Sequence, residues 1–300
     1  MKKIINNFKI TLKNQLRSFA YLLGPKKHSE LLYYKEMNKR LNLSSPTTFN
    51  EKLMWLKLYE DNHLKAICAD KLEVRKFVSD KGESQCLNEL YNFYNSSNEI
   101  RWEELPNSFV LKVNNTSGAN IICPNKENLD IALTSYKLDK WLQEKFYKNY
   151  SEMHYKNIEP KIICEKYLKP KKGLLPDDFK LFCFHGITKV VMVCTERETG
   201  NPKFYMTDLN GKILPYNPTG KKAIEMGETY IKLPSSIGEM DRIARKLAKD
   251  FTFVRADFYD IDGNVVFGEL TFTPQAGMDS NILEEGERTM GDWITLPPKK

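Results

Sequence analysis

The stretch Val254–Gly277, VRADFYDIDGNVVFGELTFTPQAG, decides how the rest of the chain is read. Two apolar-rich runs flank Asp262-Gly263-Asn264, and Asp-Gly between alternating runs is a strong hairpin signal. A three-residue loop at 262–264 pairs Ile261 with Val265 and sets Asp257 opposite Glu269. A two-residue turn pairs Asp257 with Gly268 instead. In the first register Arg255, Asp257 and Tyr259 share one face with Glu269 and Thr271, because side chains alternate along a strand. Directly opposed residues lie ~5 Å apart at Cβ, where like charges repel. A Mg²⁺ ion explains such a pair, since it takes one or two carboxylates plus substrate phosphates. A solvated charged face, or a pair neutralised by Arg255, explains it without a metal.

Composition sets the frame around this hairpin. The 300 residues are 41% hydrophobic and 28% charged, ordinary for a soluble globular chain with a sizeable core. No apolar run approaches the ~18 residues of a membrane span, and the N-terminal apolar residues are too often interrupted by charge for a signal peptide. The six cysteines form no CxxC pair and no cluster with the four histidines. Cys123, Cys164, Cys183 and Cys194 lie in or beside apolar runs, as core residues of a reducing, cytoplasmic compartment do. The net charge of +7 is carried by Lys2, Lys3, Lys9, Lys13, Arg17, Lys26 and Lys27, ahead of the first acidic residue, Glu30. The remainder is neutral, unlike a nucleic-acid binder, so no nucleic-acid partner is expected.

In chain order, Ile4, Phe8, Leu12, Leu16, Phe19 and Leu23 recur at helical spacing until Gly24-Pro25. Such a basic helix over 1–24 either makes peripheral contact with the inner membrane or packs its stripe on the protein core. Residues 29–61 continue helical with a stop near Ser44-Ser45-Pro46. Asp70–Asp80 follows as an amphipathic helix, with Lys71 and Arg75 one turn apart on a solvated face. FVLKVNNTSGANIIC (109–123) predicts two strands about a polar turn, which can aim backbone N–H groups at a phosphate with Lys112 adding charge. A helix over 127–150 and a buried strand in KIICEKYL (161–168) come next. Strands then pair about His185-Gly186 and again about Leu209-Asn210-Gly211. A helix over 236–250, N-capped by Ser236, leads into the Arg255 hairpin. Residues 278–300 are polar, and Pro297-Pro298-Lys299-Lys300 resembles a frayed or cut end.

This order of pieces resembles the ATP-grasp superfamily, and more narrowly its TupA-like branch, linked to teichuronopeptide and capsular polysaccharide biosynthesis. The strings that carry the likeness are FNEKLMWLKLY (49–59), DKLEVRKFV (70–78), LPNSFVLKVNNTSG (105–118), HYKNIEPKIICEKYL (154–168), DFKLFCFHG (178–186) and the 254–277 hairpin. The resemblance implies an α+β ATP-grasp fold, two subdomains clasping ATP between antiparallel sheets, with a helical N-terminal extension. It implies a helical region over 1–62, a linker part over 63–108, a small subdomain over 109–168 and a C-terminal subdomain over 169–300.

Carried over by residue, Lys71 and Lys112 touch ATP phosphates, and Asn115, Thr116, Ser117 and Gly118 form the loop closing over them. Glu165, Lys166, Tyr167 and Leu168 form the linker whose backbone reads adenine, while Asp178 and Lys180 lie near ribose or phosphates. Asp257 and Glu269 hold Mg²⁺ with Thr271, which stands where many relatives have Asn. Arg255 faces the transferred phosphoryl group. Arg197 is a candidate for a substrate carboxylate or phosphate. The turn at Asn114–Gly118 lacks the His-Gly pair frequent in relatives.

The resemblance therefore implies a ligase that turns a carboxylate into an acyl phosphate for attack by an amine. Its partners would be an acidic sugar of a cell-surface polysaccharide precursor and an amino acid or amine. A kinase on the same ATP and Mg²⁺ constellation is the alternative, as is a glycosyltransferase-associated module. The Asp260-Ile261-Asp262 triplet is a poor Asp-x-Asp motif, because its aspartates fall at a strand end and in a turn. His154 and His185 read as packing or hydrogen-bonding residues.

Overall fold

The computed structural model describes residues 19–170, 175–196 and 201–299. The stripe over 1–24 therefore lies mostly outside the described residues. Its described end is helical at Phe19 and Ala20 and tightens into a 3₁₀ turn, Tyr21–Leu23, closed at Gly24, whose φ of 87° only glycine adopts readily. Pro25 then opens helix α1 (Pro25–Met37).

Two antiparallel sheets form the body of the protein. The smaller takes β1 (Leu90–Tyr94), β2 (Phe109–Val113), β3 (Asn120–Cys123) and β4 (Ile162–Lys166) in the order β1-β4-β2-β3. The larger takes β5 (Asp178–Phe184), β6 (Ile187–Thr195), β7 (Lys203–Thr207), β8 (Phe253–Ile261) and β9 (Asn264–Thr271) in the order β7-β6-β5-β8-β9. Strand β1 comes from within the 63–108 segment.

The strands of the larger sheet are apolar on both faces because both are covered. Leu181, Cys183, Val254 and Ala256 pack on one side against Met240, Ile243, Ala244 and Leu247 of helix α8 (Ile237–Ala248). Alternate residues, Phe182, Phe184 and Phe253, pack on the other side against Phe49, Leu53 and Leu56 of helix α2 (Phe49–Tyr59). That helix starts with a reciprocal capping box between Thr48 and Glu51, which satisfies its exposed N–H groups. Further along this second face the apolar residues give way to Lys180 and Asp178 on β5 and to Arg255 and Asp257 on β8. The change from phenylalanine to charge marks where the helix cover ends and an open site begins.

Several expectations need correction. The helix over Asp70–Asp80 begins only at Val74 (α4, Val74–Asp80), because Asp70 Oδ1 accepts from Leu72 N and holds the preceding residues as a turn. Arg75 and Lys71 are not a solvated face; both bond inward, as described below. Ser236 stands before α8 but does not cap it, and its hydroxyl turns instead to Asp260. Beyond Leu209-Asn210-Gly211 the second hairpin reduces to one isolated bridge, Thr207 to Ile213. Ahead of Pro297, the polar C-terminal segment is built into the fold. Helix α9 (Glu284–Asp292) docks on α2 through buried Met290, and Lys52 Nζ donates to the carbonyls of Gly291 (2.8 Å) and Ile294 (2.9 Å). A mostly polar sequence concealed this, because the docking uses small and polar groups.

All six cysteines are free and buried. His185 Nε2 accepts from Thr295 N at 3.0 Å, and His154 packs its ring on Tyr155 and Phe272.

Candidate functional site

The 254–277 hairpin turns differently from the expected loop and still reaches the expected register. Asp262 (φ 57°) and Gly263 (φ 85°) make a two-residue turn, and Ile261 pairs with Asn264 rather than Val265. A bulge at Gly268 then adds one residue to β9, so Asp257 opposes Glu269 and Arg255 opposes Thr271. A Cβ on Gly268 would meet the Asp257 carbonyl oxygen at 3.0 Å, so a side chain there would crowd the partner strand.

The bulge brings a compact charged cluster onto one face. Arg255 donates to both carboxylate oxygens of Asp257 at 2.7 Å and to the Thr271 hydroxyl at 3.1 Å. Lys180 Nζ donates to Asp257 Oδ2 (2.7 Å) and Asp178 Oδ2 (2.5 Å). Thr271 donates in turn to Glu269 Oε1 at 3.2 Å, which lies 3.6 Å from Arg255. Burial raises the Asp257 carboxyl, but Arg255 and Lys180 outweigh it and hold the group below the usual carboxylate range. Burial lowers Lys180, and Asp257 and Asp178 more than restore it, leaving it raised. Arg255, Lys180 and Asp257 thus favour one another's charged forms.

Lys71 reaches this cluster from the other sheet. Asn114, fully buried at the end of β2, donates to Asp70 Oδ1 (2.9 Å) and the Glu159 carbonyl (3.0 Å), and accepts from Lys161 N (2.7 Å). Its carbonyl also accepts from Lys71 N. The Lys71 ammonium is thereby aimed at the 115–118 turn, where it donates to the Thr116 carbonyl. Burial lowers Lys71, while Glu269 raises it and Lys112 lowers it, so its charge environment spans both sheets. Asn115 Oδ1 and Thr116 Oγ1 are buried in the same turn without a partner among the described residues, and polar atoms left so are costly. A ligand's donors would satisfy them.

A narrow cleft of about 100 Å³ lies between the sheets. Val110, Lys112, Ile122 and Glu165 line one side of it and Tyr259, Leu175 and Pro176 contribute the other, with Lys166, Tyr167 and Leu168 along its edge. Inside, Lys112 Nζ bonds Glu165 Oε2 at 2.7 Å and Arg75 bonds Glu165 Oε1 at 3.2 Å. Sequence reasoning missed Arg75, Asn114 and Tyr259. Arg75 follows Lys71 by one helical turn, which signals a shared direction but not which direction is inward. Arg197 lies outside the described residues.

A larger cavity, about 780 Å³, opens from the charged cluster, and Lys180, Arg255, Glu269, Thr271 and Ser117 line its near end. The two sheets, the lysine-bearing turn and the roomy cavity beside them thus make one cleft lined with charge.

A family model described as TupA-like ATP-grasp matches residues 51–295. The chain belongs to this family. The expected fold class, an α+β ATP-grasp fold, is borne out by that membership. Among solved structures, the D-alanine–D-alanine ligase of Bacillus anthracis complexed with ATP is similar at 16% identity and TM-score 0.49, over 76% of this chain and 65% of that one. The D-alanine–D-alanine ligase of Helicobacter pylori is similar at 14% and 0.44, over 84% and 68%. An L-amino acid ligase of Bacillus licheniformis is similar at 14% and 0.41, over 70% and 44%. The chain thus spans about two thirds or less of the length of these proteins. No curated protein matches it.

The donor set suits Mg²⁺ only in partnership with a nucleotide. Among the described residues no group of three or more His, Cys, Asp or Glu could hold a metal ion. Asp257 and Glu269 supply two hard-oxygen carboxylates, and Glu269 Oε2 has no partner among the described residues. Two carboxylates completed by phosphates are the ordinary Mg²⁺ complement. Thr271, already bonded to Arg255 and Glu269, is the weakest of the three.

Proposed function

We propose that this chain is an ATP- and Mg²⁺-dependent carboxylate–amine ligase working through an acyl phosphate. The observation that carries the proposal is the 780 Å³ cavity opening directly from the Lys180–Arg255–Glu269 cluster, with room for reactants beyond a nucleotide's phosphates. Lys71 and Lys112 bind phosphates, the 115–118 turn covers them, and the cleft edged by Lys166, Tyr167 and Leu168 takes the adenine. Asp178 fixes Lys180 near the phosphates. Asp257 and Glu269, assisted by Thr271, hold Mg²⁺, which neutralises phosphate charge when bound.

In the first step a carboxylate oxygen of the substrate attacks the γ-phosphorus and ADP leaves. Arg255, kept charged by Asp257 and Glu269, stabilises the charge that develops on the transferred group. In the second step a neutral amine attacks the acyl carbon, the C–N bond forms as the C–O bond to the phosphoryl group breaks, and the amine's proton leaves with the departing phosphate. The enzyme needs only positioning and charge for this, without a nucleophile of its own.

Family membership supports an acidic sugar of a cell-surface polysaccharide, or its precursor, as the acid, and an amino acid or amine as its partner. We place this work at the cytoplasmic face of the membrane. Among the described residues no helix is long and apolar enough to cross one.

ADP release, measured with uronic acids in the presence and absence of amines, tests the reaction. A ligase needs both substrates for sustained turnover and yields an amide. Sustained turnover with the sugar acid alone, accumulating a stable phosphorylated sugar, would show a kinase instead.

A further inference from the structure

The far end of the 780 Å³ cavity differs in character from the end beside the nucleotide. Lys180 and Arg255 are the only cationic side chains that line it among the described residues, and both are engaged by Asp257. The far walls carry Glu36 and Glu152 with the rings of Phe146, Tyr150 and Tyr155. We propose that this end is an ammonium site centred on Glu152. It takes the distal positive charge of a diamine or basic amino acid whose other amine is the one acylated. This deepens the ligase reading and rests on it.

Glu152 is 6% exposed, yet it lines the cavity. Its Oε1 accepts from the Thr273 hydroxyl, and its Oε2 has no partner among the described residues. Burial raises its carboxyl, and Thr273 and Lys57 offset this only in part. Lys57 does not touch it, because Lys57 Nζ is spent on the carbonyls of Tyr150 and Ala276, both at 3.0 Å. A carboxyl this deep is stable as an anion only when a cation pairs with it. An incoming ammonium supplies that cation.

The walls fit the same guest. Phe146 and Tyr155 stand edge to face at 5.3 Å between centroids, and aromatic faces attract cations. Tyr155 feels the charges of both Glu152 and Glu269, so it stands between the ammonium end and the phosphate end. A carboxylate next to the distal amine would face Glu152, and among the described residues no cationic side chain lines the cavity except Lys180 and Arg255. The site therefore discriminates against acidic amines as well as selecting basic ones.

Calorimetry on the full chain tests this in two stages. The protein is first titrated with Mg²⁺ and the non-hydrolysable analogue AMPPNP, then, once saturated, with 1,5-diaminopentane, n-pentylamine or L-glutamate at constant ionic strength. The diamine should bind on the order of tenfold tighter than the monoamine, the worth of one charge-assisted hydrogen bond, and glutamate should bind weakest. Glu152→Gln should erase the diamine preference while leaving AMPPNP affinity intact, which also reports that the variant is folded. Glu36→Gln, exposed at the rim, should reduce the preference by a smaller factor and serves if Glu152→Gln does not fold. Equal binding of diamine and monoamine, tighter binding of glutamate, no amine binding, or a preference untouched by these variants would overturn the ammonium site. Absence of AMPPNP binding in the wild type would instead overturn the ligase reading beneath it.

Discussion

His154 shows how much of the site's character is settled by surroundings rather than by residue type. Burial, then Lys65 and Lys57, hold its imidazole down at about 3, against an ordinary 6.5. Below pH 6.5 the unfolded chain takes up a proton that the folded chain refuses. The native state is therefore fully favoured above 6.5 and loses stability as pH falls toward 3, by about 1.4 kcal/mol per unit. His154→Phe keeps a ring against Tyr155 and Phe272. Denaturant unfolding at pH 6.5 and 4.5 should show the wild type losing roughly 2–3 kcal/mol more than this variant. An identical pH dependence in the two proteins would mean that His154 is protonated in the fold. The sequence pointed to a packing role for this residue because the implied chemistry needs no nucleophilic Ser, Cys or His on the protein. It could not show the environment, which is assembled from helices far apart in the chain. Lys71 and Arg75 teach the same point. Their one-turn spacing suits a solvated face, and only Asn114 and Glu165, distant in sequence, turn them inward.

At the scale of elements, the hairpin that carries Asp257 and Glu269 depends on two irregularities that compensate each other. The Asp262-Gly263 turn is one residue shorter than expected, and the Gly268 bulge adds one back. An Asp-Gly signal announces the turn, but a glycine inside a strand announces a bulge only weakly, so the register was legible and its route was not. Gly268→Val should push β9 from β8, because its Cβ meets backbone at 3.0 Å. We expect a loss of about 1–3 kcal/mol in unfolding free energy, together with a clear loss of Mg²⁺-dependent ATP affinity. Wild-type affinity in the variant would dissociate the bulge from the site. Helix α9 makes a second case. Its Gly291 approaches α2 so closely that an added Cβ would stand 2.3 Å from the Thr47 carbonyl oxygen. Gly291→Ala should lower thermal stability by about 1–3 kcal/mol, measurable as a drop in Tm. An unchanged Tm would argue that this end of the chain is dispensable. The polar composition of 278–300 hid the contact, since close approach is made with glycine and with Lys52 reaching carbonyls.

Across the whole molecule, the two sheets present complementary halves of one cleft. The smaller brings Lys112 and the 115–118 turn, and the Asp70-Lys71 turn is fastened to it by Asn114. The larger brings Lys180, Arg255, Asp257 and Glu269. Alternation along β8 and β9 forecast their charged face, and the order of motifs matched the family. Which side of each strand meets helix, and where the cover stops, followed from packing: Phe182 and Phe253 are roofed by α2, and Lys180 and Arg255 are not. The most direct test of the account is calorimetric titration with ATP, with and without Mg²⁺, on the wild type and on Asp257→Ala/Glu269→Ala. The account predicts Mg²⁺-dependent binding in the wild type that the double variant loses while retaining its fold. A wild type that binds no ATP, or a double variant that binds it unchanged, would contradict the account.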